Sequence, residues 1–415
     1  MIPLVRRFRS LVIANEPVAG PLLAVGIAAF ALVVLAPFTP SIAYNDGFGY
    51  DGRVYADLTL AMRGDNSGTV VPPWSFRLLP SAIVAVSGLD IKLGFLLVDL
   101  LSGLGSAWLL YRLLRHYGAS LQVSLLAIGG WAVLPLGLRW ALYDPVRPDT
   151  LGFFLLLALI VTALEGRILL FAGLLIVGTL TRENLVALVP FLWFANVRRD
   201  PLGVTVRSLV IGLAAMAVFF AVRVFPAVAP PPAYENWLER YNFGVNLTQV
   251  FDNYDAHASR YALAALLSLG MFFALPFAWP RRVLAFLGRE RHWAYYLVST
   301  YVVTLVGGRG DDRYLYALVP LLAVVVSQVA PPSLWRSRGR LGTLALAHLL
   351  SVRFLWPVGT SESEARQYEV SAMSVDRLIA LTILCAITFV VGVAVARIDW
   401  RALHRAREAK AEAAA

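Results

Sequence analysis

Apolar residues in this chain occur in long uninterrupted blocks, without the apolar–polar alternation that is typical of membrane strands. A helix needs roughly 20 residues to cross the hydrocarbon core of a bilayer. Five blocks reach that length on their own, namely residues 18–38, 92–111, 204–229, 259–279 and 376–396. Backbone groups in lipid must find their hydrogen-bond partners within the segment, so these blocks are predicted to be helices. The pattern therefore predicts an all-α polytopic membrane protein.

The basic residues between the apolar blocks predict the topology, because cytoplasmic loops of membrane proteins are enriched in Lys and Arg. They cluster near residues 6–9, 112–115, 198–199, 281–291, 336–340 and 397–410. If all of these clusters are cytoplasmic, the chain has about twelve transmembrane helices, and both termini are inside. The acidic segments then lie together outside, and these are residues 39–76, 143–149, 230–257, 307–313 and 358–376.

Three apolar segments are too short for an ordinary crossing. Residues 77–90 would place every later basic loop on the wrong side if they crossed, so we expect an interfacial or re-entrant helix at the outer leaflet. The blocks 167–180 and 183–197 are predicted to form a tight hairpin, with Arg182 and Glu183 at its outer tip.

The whole chain, residues 1–415, is predicted to form a single integral membrane domain, since no soluble domain or low-complexity tract interrupts the pattern. Its parts are a first helix at 18–38, an outer loop with juxtamembrane helices at 39–90, a helical module at 91–230, an outer loop at 231–258, C-terminal helices at 259–397 and a cytoplasmic tail at 398–415. We expect 18–38 to be a retained helix, because no small-residue cleavage site follows it.

Composition agrees with this class of protein. The chain is 59% hydrophobic and 15% charged, whereas charged residues supply about a quarter of a soluble domain. The net charge of +10 could suggest a nucleic-acid partner. The arginines lie in short loops between helices, as topology requires, so no nucleic-acid partner is expected. The single cysteine, Cys385, falls inside a predicted helix, which excludes a disulfide framework or a thiolate metal site.

The densest group of polar residues follows the first predicted helix, over residues 43–57. From about Arg53 the pattern predicts a short amphipathic helix, in which Arg53 and Asp57 pair at i,i+4. Its apolar face would consist of Val54, Leu58 and Ala61. Asp51 lies at the start of that helix, where an N-cap is the structural explanation and general-base catalysis the functional one. Position alone favours the cap.

Three further outer segments carry more charge than loops of their length need for solubility: residues 143–149 with Arg147 and Asp149, residues 181–184 with Arg182 and Glu183, and residues 307–314 with Arg309, Asp312 and Arg313. The structural explanations are a helix cap for Asp149 and an ion pair at the hairpin tip. Together the segments predict a polar cavity at the outer interface, with carboxylates for base chemistry and guanidiniums for a phosphate. Asp99, well inside a predicted membrane helix, is expected to find a partner in the bundle interior in a structural role.

The order of these motifs resembles the GT-C superfamily of glycosyltransferases, which transfer a sugar from a polyprenyl-phosphate or polyprenyl-diphosphate donor on the outer or lumenal face. Residues 50–55, Tyr-Asp-Gly-Arg-Val-Tyr, are similar to that family's acidic motif with its following Arg and Tyr, ahead of an amphipathic helix. Residues 72–80 resemble the segment that enters the family's interfacial helix. The resemblance covers about the first 200 residues and a short piece near 310. Within the superfamily, the chain looks most similar to uncharacterised bacterial members that are involved in cell-surface glycopolymers. Protein O-mannosyltransferases and lipid A aminoarabinose transferases are more distantly similar.

The resemblance implies a GT-C-like bundle and an inverting glycosyltransferase with Asp51 as the general base and Asp46 as the second choice. The donor phosphate would be bound by arginines, and these are Arg147, Arg182, Arg309 and Arg313. Supporting positions would be held by Arg53, Tyr55, Asp149, Glu183 and Asp312. Gly52 stands where some relatives have a second acid, so no metal ligand set is assigned and no cofactor is expected.

The implied partners are a polyprenyl-phosphate-sugar donor, a glycan, lipid or protein acceptor, and membrane lipids. The implied location is the bacterial cytoplasmic membrane, with the active site on the extracytoplasmic face. A lipid-linked sugar flippase or transporter is one alternative, which predicts polar residues through the bundle or an internal repeat. A non-catalytic polysaccharide-assembly protein is another, which would tolerate Asp51→Asn.

Overall fold

A computed structural model describes residues 16–65, 76–224, 254–306, 311–354, 358–361 and 374–398. All regular structure in these ranges is helical. The first half contains α1 Glu16–Leu35, α2 Gly49–Met62, α3 Leu78–Ser87, α4 Ile91–His116, α5 Leu121–Ala132, α6 Leu138–Tyr143, α7 Asp149–Leu164, α8 Ile168–Thr179, α9 Val189–Asn196 and α10 Pro201–Val224. The second half contains α11 Tyr254–Leu269, α12 Met271–Ala274, α13 Pro280–Arg289, α14 Arg291–Val306, α15 Asp311–Leu315, α16 Val319–Val329, α17 Pro332–Arg336, α18 Arg338–Ser351 and α19 Val375–Arg397.

Four helices in the described ranges are long and apolar enough to cross a membrane, and these are α1 with its 3₁₀ extension to Phe38, α4, α10 and α19. They coincide with four of the five predicted blocks, so the all-α prediction is confirmed for the described ranges, and these four helices are candidate membrane spans. Several further apolar helices, among them α3, α5, α7 and α8, are only 10–17 residues long. The figure of about twelve crossings therefore stays a prediction.

The fifth predicted block, 259–279, is not one helix. α11 ends at Leu269, Gly270 takes a φ of +53°, and a single short helical turn follows before a 3₁₀ turn over Leu275–Ala278. His348 of α18 accepts a hydrogen bond from the Met271 backbone N–H at 3.1 Å. A Cβ on Gly270 would lie 2.5 Å from His348 Nδ1. The break therefore depends on a positive φ and on a contact from a distant helix.

The centre of the bundle is the packing of α4 against α7. Gly103 and Gly105 let the helices around α4 approach closely, since a Cβ there would lie 2.6 Å from Leu138 and 2.7 Å from Phe154. Asp99 of α4 is 2% exposed and accepts a hydrogen bond from the Thr150 hydroxyl of α7 at 3.1 Å. As expected, this acid has an interior partner.

Two short helices, α2 and α3, pack on one another beside the start of α4. The segment predicted to be interfacial forms α3, which has 10 residues. The Leu79 backbone N–H donates to the Leu180 carbonyl at 3.0 Å and so ties α3 to the end of α8. The buried face of α2 contains Tyr55, Leu58 and Thr59, so the predicted face is right only at Leu58.

The bundle has two chemically different ends. We call the end at which α2 and α3 lie the α2 end. The opposite end, where α4 finishes at His116 and α7 at Leu164, carries several of the arginines and is called the basic end. The 26 residues of α4 separate the two ends by about 39 Å at 1.5 Å per residue.

Candidate functional site

The turn before α2 brings Asp51 to the α2 end. The chain reverses at Asn45, Asp46 and Gly47, whose φ angles are +53°, +57° and +77°. These residue types tolerate the left-handed region. The Asn45 side-chain amide donates to the Gly49 carbonyl at 2.8 Å and closes the turn. Asp51 therefore lies within the first helical turn and is not the N-cap, so the cap explanation for Asp51 is wrong.

The loop between α6 and α7 contains a buried ion pair directly beneath α2. Asp144 and Arg147 are 1% and 6% exposed, and Arg147 Nε lies 2.6 Å from Asp144 Oδ2. The Arg147 guanidinium also lies 5.3 Å from the centre of the Trp140 ring, within the range of a cation–π contact. A Cβ on Gly52 would lie 3.1 Å from the Val146 side chain. Because Gly52 has no side chain, the loop between α6 and α7 can pack closely against α2.

Arg313 joins two carboxylates from distant parts of the chain. Its Nη2 donates to Asp149 Oδ2 at 3.0 Å, and its Nη1 lies 3.7 Å from Asp51 Oδ2. The second distance is that of an ion pair and is too long for a hydrogen bond. The three side chains keep some exposure, 21% for Arg313, 17% for Asp149 and 14% for Asp51. This contact is thus both charged and accessible.

Asp149 is held by a second arginine from the tip of the α8 hairpin. Arg182 Nη2 contacts Asp149 Oδ1. A Cβ on Gly152, one turn after Asp149, would lie 2.8 Å from Arg182 Cγ, so Gly152 makes the room that Arg182 occupies. Asp149 is the first residue of α7 and makes no capping hydrogen bond. The prediction that Asp149 caps this helix is wrong, because its carboxylate faces the two arginines.

Arg77 forms the third connection across the α2 end. It lies just before α3, and its Nη2 and Nε reach the two oxygens of Glu183 at 3.2 and 3.3 Å. Its Nη1 donates to the Tyr55 hydroxyl at 3.1 Å. The two parallel contacts to Glu183 form the bidentate arrangement that suits a guanidinium and a carboxylate. Three segments, α2, the start of α3 and the hairpin tip, therefore meet at one side chain.

We use the name ion cluster for four carboxylates and four guanidiniums that these contacts link: Asp51, Asp144, Asp149, Glu183, Arg77, Arg147, Arg182 and Arg313. With all eight ionised, their charges cancel. A ligand phosphate that binds here must therefore compete with carboxylates for the guanidiniums. The longest of the contacts, that between Arg313 and Asp51, is the easiest to replace.

Burial and neighbouring charge move several pKa values in the ion cluster. Burial, assisted by the charge of Asp51, raises the pKa of Asp144 to about 6 against the opposing effects of Arg147 and Arg313. Burial alone would raise the pKa of Glu183, but Arg77 overcomes this effect and holds that pKa at about 2. Burial and the charges of Arg77 and Arg313 lower the pKa of Arg182 to about 10. Of the two carboxylates, Asp144 and Glu183, it is therefore Asp144 that changes its ionisation nearer to neutral pH.

The structure brings together many of the predicted site residues: Asp51, Tyr55, Arg147, Asp149, Arg182, Glu183 and Arg313. Asp46 and Arg53 lie apart from the ion cluster. Asp46 has a side chain that is 79% exposed and pairs with Arg53 at 2.8 Å. Arg53 also pairs with Asp57 at 3.1 Å, which confirms the predicted i,i+4 contact.

Two predicted residues cannot be located in the cluster. Arg309 lies outside the described residues, and so does the side chain of Asp312, whose backbone belongs to α15. The predicted outer loop at 231–258 falls outside them too, apart from the start of α11.

Sequence reasoning did not select Arg77 or Asp144. Arg77 is an arginine on the predicted outer side, where the positive-inside rule makes arginines uncommon, and this signal could have selected it. Asp144 lies within the predicted segment 143–149, but nothing in the local pattern indicates that its side chain is 1% exposed. Burial of that kind depends on α2, which packs above it.

Within the described ranges, no group of three or more His, Cys, Asp or Glu side chains could hold a metal ion. At the α2 end an accessible carboxylate, Asp51, lies beside arginines, whose forked donors match phosphate oxygens. Neither a protein-family model nor a curated protein matches this chain.

Proposed function

We propose that the protein is an inverting membrane glycosyltransferase that moves a sugar from a polyprenyl-phosphate carrier to an extracytoplasmic acceptor. The observation that carries the proposal is the contact of Arg313 with both Asp51 and Asp149, which joins an accessible carboxylate to a phosphate-binding type of side chain. The apolar helices around the ion cluster would give a lipid carrier direct access from the bilayer. The motif similarity of residues 50–55 supports the same reaction class.

Accessibility separates the roles of the carboxylates. The Asp51 side chain is 14% exposed, whereas that of Asp144 is 1% exposed and pressed against Arg147. A general base must come within hydrogen-bond reach of the proton that it removes. Asp51 is therefore assigned as the base, and Asp144 as a buried neighbour whose charge acts on Asp51.

Accessibility also ranks the arginines. The exposed fraction is 21% for Arg313, 12% for Arg182 and 6% for Arg147. Arg313 and Arg182 are assigned to the donor phosphate, since each can turn a nitrogen from Asp149 to a phosphate oxygen. Arg147 is assigned to positioning of the 143–149 loop, because its guanidinium is already enclosed by Asp144 and Trp140.

The proposed step conserves atoms and charge. The acceptor hydroxyl oxygen attacks the anomeric carbon as Asp51 takes the hydroxyl proton, and the bond from that carbon to the phosphate oxygen breaks. The lipid phosphate leaves with the electron pair, and the guanidiniums stabilise its growing charge. Attack from the face opposite the leaving phosphate inverts the anomeric centre.

The proposed topology assigns the α2 end to the extracytoplasmic side of a bacterial cytoplasmic membrane and the basic end to the cytoplasm. The distribution of arginines supports that orientation. Ion pairs lie at both ends of the bundle, whereas a flippase would need polar groups along the path between the two ends. Asp99 is a single buried acid bonded to Thr150 and does not extend such a path.

The test uses purified full-length protein with a synthetic polyprenyl-phosphate sugar and an acceptor. Sugar transfer is expected from the wild type and from Asp376→Asn, which changes an exposed acid outside the ion cluster. Asp51→Asn is expected to lose transfer by a factor of about 100 or more at unchanged expression. Full activity of Asp51→Asn would remove the base assignment, and no transfer by the wild type with any polyprenyl-phosphate sugar would remove the reaction class.

A further inference from the structure

A polar cavity lies at the basic end, remote from the ion cluster. Its volume is about 440 Å³, within the range of small-molecule sites. It is bounded by the end of α4, the turn after α9, the junction of α13 with α14 and the end of α16. The polar side chains that line it are His116, Tyr117, Arg199, Arg289, Glu290, His292 and Gln328.

The buried wall of this cavity has a fixed hydrogen-bonding order. The Trp293 indole N–H donates to the Tyr117 hydroxyl oxygen at 2.8 Å, because an indole nitrogen can only donate. The Tyr117 hydroxyl lies 2.8 Å from His292 Nε2, and we assign Nε2 as the acceptor of the hydroxyl hydrogen because the hydroxyl oxygen already accepts from the indole. A neutral His292 then carries its own hydrogen on Nδ1. The ring is 7% exposed, and Nδ1 makes no hydrogen bond to any other described residue.

The charge state of His292 agrees with this order. Burial lowers the pKa of His292 to about 4, with His116 and Arg198 adding to the effect and Glu290 opposing it. The imidazole is therefore neutral at pH 7, and with Nε2 as the acceptor the Nδ1–H of this cavity-lining residue is available as a hydrogen-bond donor.

The rim of the cavity is cationic. Arg199, in the turn between α9 and α10, makes no ion pair with any carboxylate in the described ranges. Arg289 contacts the neighbouring Glu290 at 3.2 Å, and its side chain is 65% exposed. Gln328 donates to the Tyr117 carbonyl at 2.7 Å, which fixes its amide at the edge. Two guanidiniums against one carboxylate leave an excess positive charge beside a buried N–H donor.

We propose that this cavity is a binding site for a phosphate group, held by Arg199 and Arg289, with the His292 N–H and the Gln328 amide contacting the remainder of the ligand. Guanidiniums match phosphate oxygens in geometry as well as charge. Two sources carry the same group at this end of the bundle: a soluble phosphate ester and the headgroup of a phospholipid. The site is independent of the proposed transfer reaction, since the length of α4 separates the two.

The test uses the full-length protein in detergent, in two arms. One arm titrates glucose 1-phosphate by calorimetry. The other arm counts bound lipid by native mass spectrometry, with phosphatidylglycerol and with diacylglycerol, which lacks the phosphate. Arg199→Gln is expected to weaken the observed binding about tenfold, as the loss of one charge-assisted hydrogen bond would. The matched control, Arg281→Gln, removes an exposed arginine of α13 that does not line the cavity and should change binding less than twofold.

Each outcome bears on the proposal. Binding in the first arm alone identifies a soluble ester, and binding of phosphatidylglycerol alone identifies a headgroup, provided that Arg199→Gln weakens it in either case. No binding in both arms, equal binding of diacylglycerol and phosphatidylglycerol, or equal losses in Arg199→Gln and Arg281→Gln would overturn the site. None of these results would alter the sugar transfer measured at the α2 end.

Discussion

The Arg77 guanidinium contacts both oxygens of the Glu183 carboxylate, 106 residues further along the chain, with nitrogen–oxygen distances of 3.2 and 3.3 Å. Their side chains are 10% and 29% exposed, so the pair is largely withdrawn from water. Together with the hydrogen bond from Leu79 to Leu180, it fixes the start of α3 to the tip of the α8 hairpin. This connection sets the spacing of the segments that carry Tyr55 and Arg182.

Arg77→Gln should destabilise the protein by about 3 kcal/mol, because the variant leaves a charged carboxylate mostly buried without its partner. Adding Glu183→Gln should recover part of that loss, since two neutral amides can bond to each other. The free energy of unfolding in mixed micelles measures both. Arg207→Gln, which breaks the exposed pair with Asp200, should cost less than about 1 kcal/mol. Strictly additive losses in the double variant would contradict the pairing.

Arg313→Lys should lower the rate of sugar transfer by about 100-fold while the protein keeps its stability. Lysine retains the charge but cannot contact Asp149, Asp51 and a phosphate with separate nitrogens. The kinetics of transfer from a polyprenyl-phosphate sugar provide the measurement. Arg281→Lys, at the basic end, is the matched control and should leave the rate unchanged. A rate for Arg313→Lys within twofold of wild type would reject the phosphate role.

Gly152→Ala should lower the rate of sugar transfer about tenfold, because the added methyl group displaces Arg182. The added Cβ would meet Arg182 Cγ at 2.8 Å, so the arginine must move away from Asp149. Because the obstructed group is a side chain, the free energy of unfolding should fall by no more than about 1–3 kcal/mol. Gly173→Ala in α8 meets nothing within 4 Å and should be neutral or slightly stabilising. Unchanged transfer by Gly152→Ala would show that the contact of Arg182 with Asp149 is dispensable.

Stability should depend on pH through Asp144. Its pKa rises from 3.8 to about 6 on folding, so the folded protein holds this proton more tightly than the unfolded chain does. The resulting stabilisation is complete below about pH 4 and is lost as the pH rises through 6. Between about pH 4 and pH 7 the free energy of unfolding of the wild type should fall by up to about 3 kcal/mol relative to that of Asp144→Asn.

Thermal unfolding of the two proteins across this range provides the measurement. The lowered pKa of Glu183 acts with the opposite sign below about pH 4.5 and is common to both proteins, so it cancels in the difference. Asp200→Asn, which changes a half-exposed acid at the basic end, should follow the wild type at every pH. A constant difference between wild type and Asp144→Asn would contradict the assignment.

Hydropathy and charge predicted a large part of the fold and the grouping of the outer loops. The blocks that became α1, α4, α10 and α19 could be read directly, because a span must be apolar over its whole length. Alternate loops of a helical bundle lie at the same end, so the topology also predicts that charged residues of these loops meet. The residues that do so are Asp51, Asp149, Arg182 and Arg313. Their catalytic and phosphate-binding roles stay predictions.

The remaining features depend on contacts that no local pattern contains. The cap assignments for Asp51 and Asp149 failed because arginines from distant segments compete for the same carboxylates. The break at Gly270 depends on His348, a residue of α18. Arg77 was not selected because its partner, Glu183, belongs to a different hairpin.

The cancellation of charge in the ion cluster has a consequence for how a substrate would arrive. Four anionic and four cationic side chains that pair at one end of the bundle largely cancel one another's field beyond about a Debye length, so the ion cluster should attract small anions only weakly from a distance. A polyprenyl carrier would be concentrated by partitioning of its tail into the bilayer, and its headgroup would then exchange places with a carboxylate on Arg313. Water-soluble sugar phosphates, which lack that tail, should therefore be poor inhibitors of sugar transfer at the α2 end, whatever their charge.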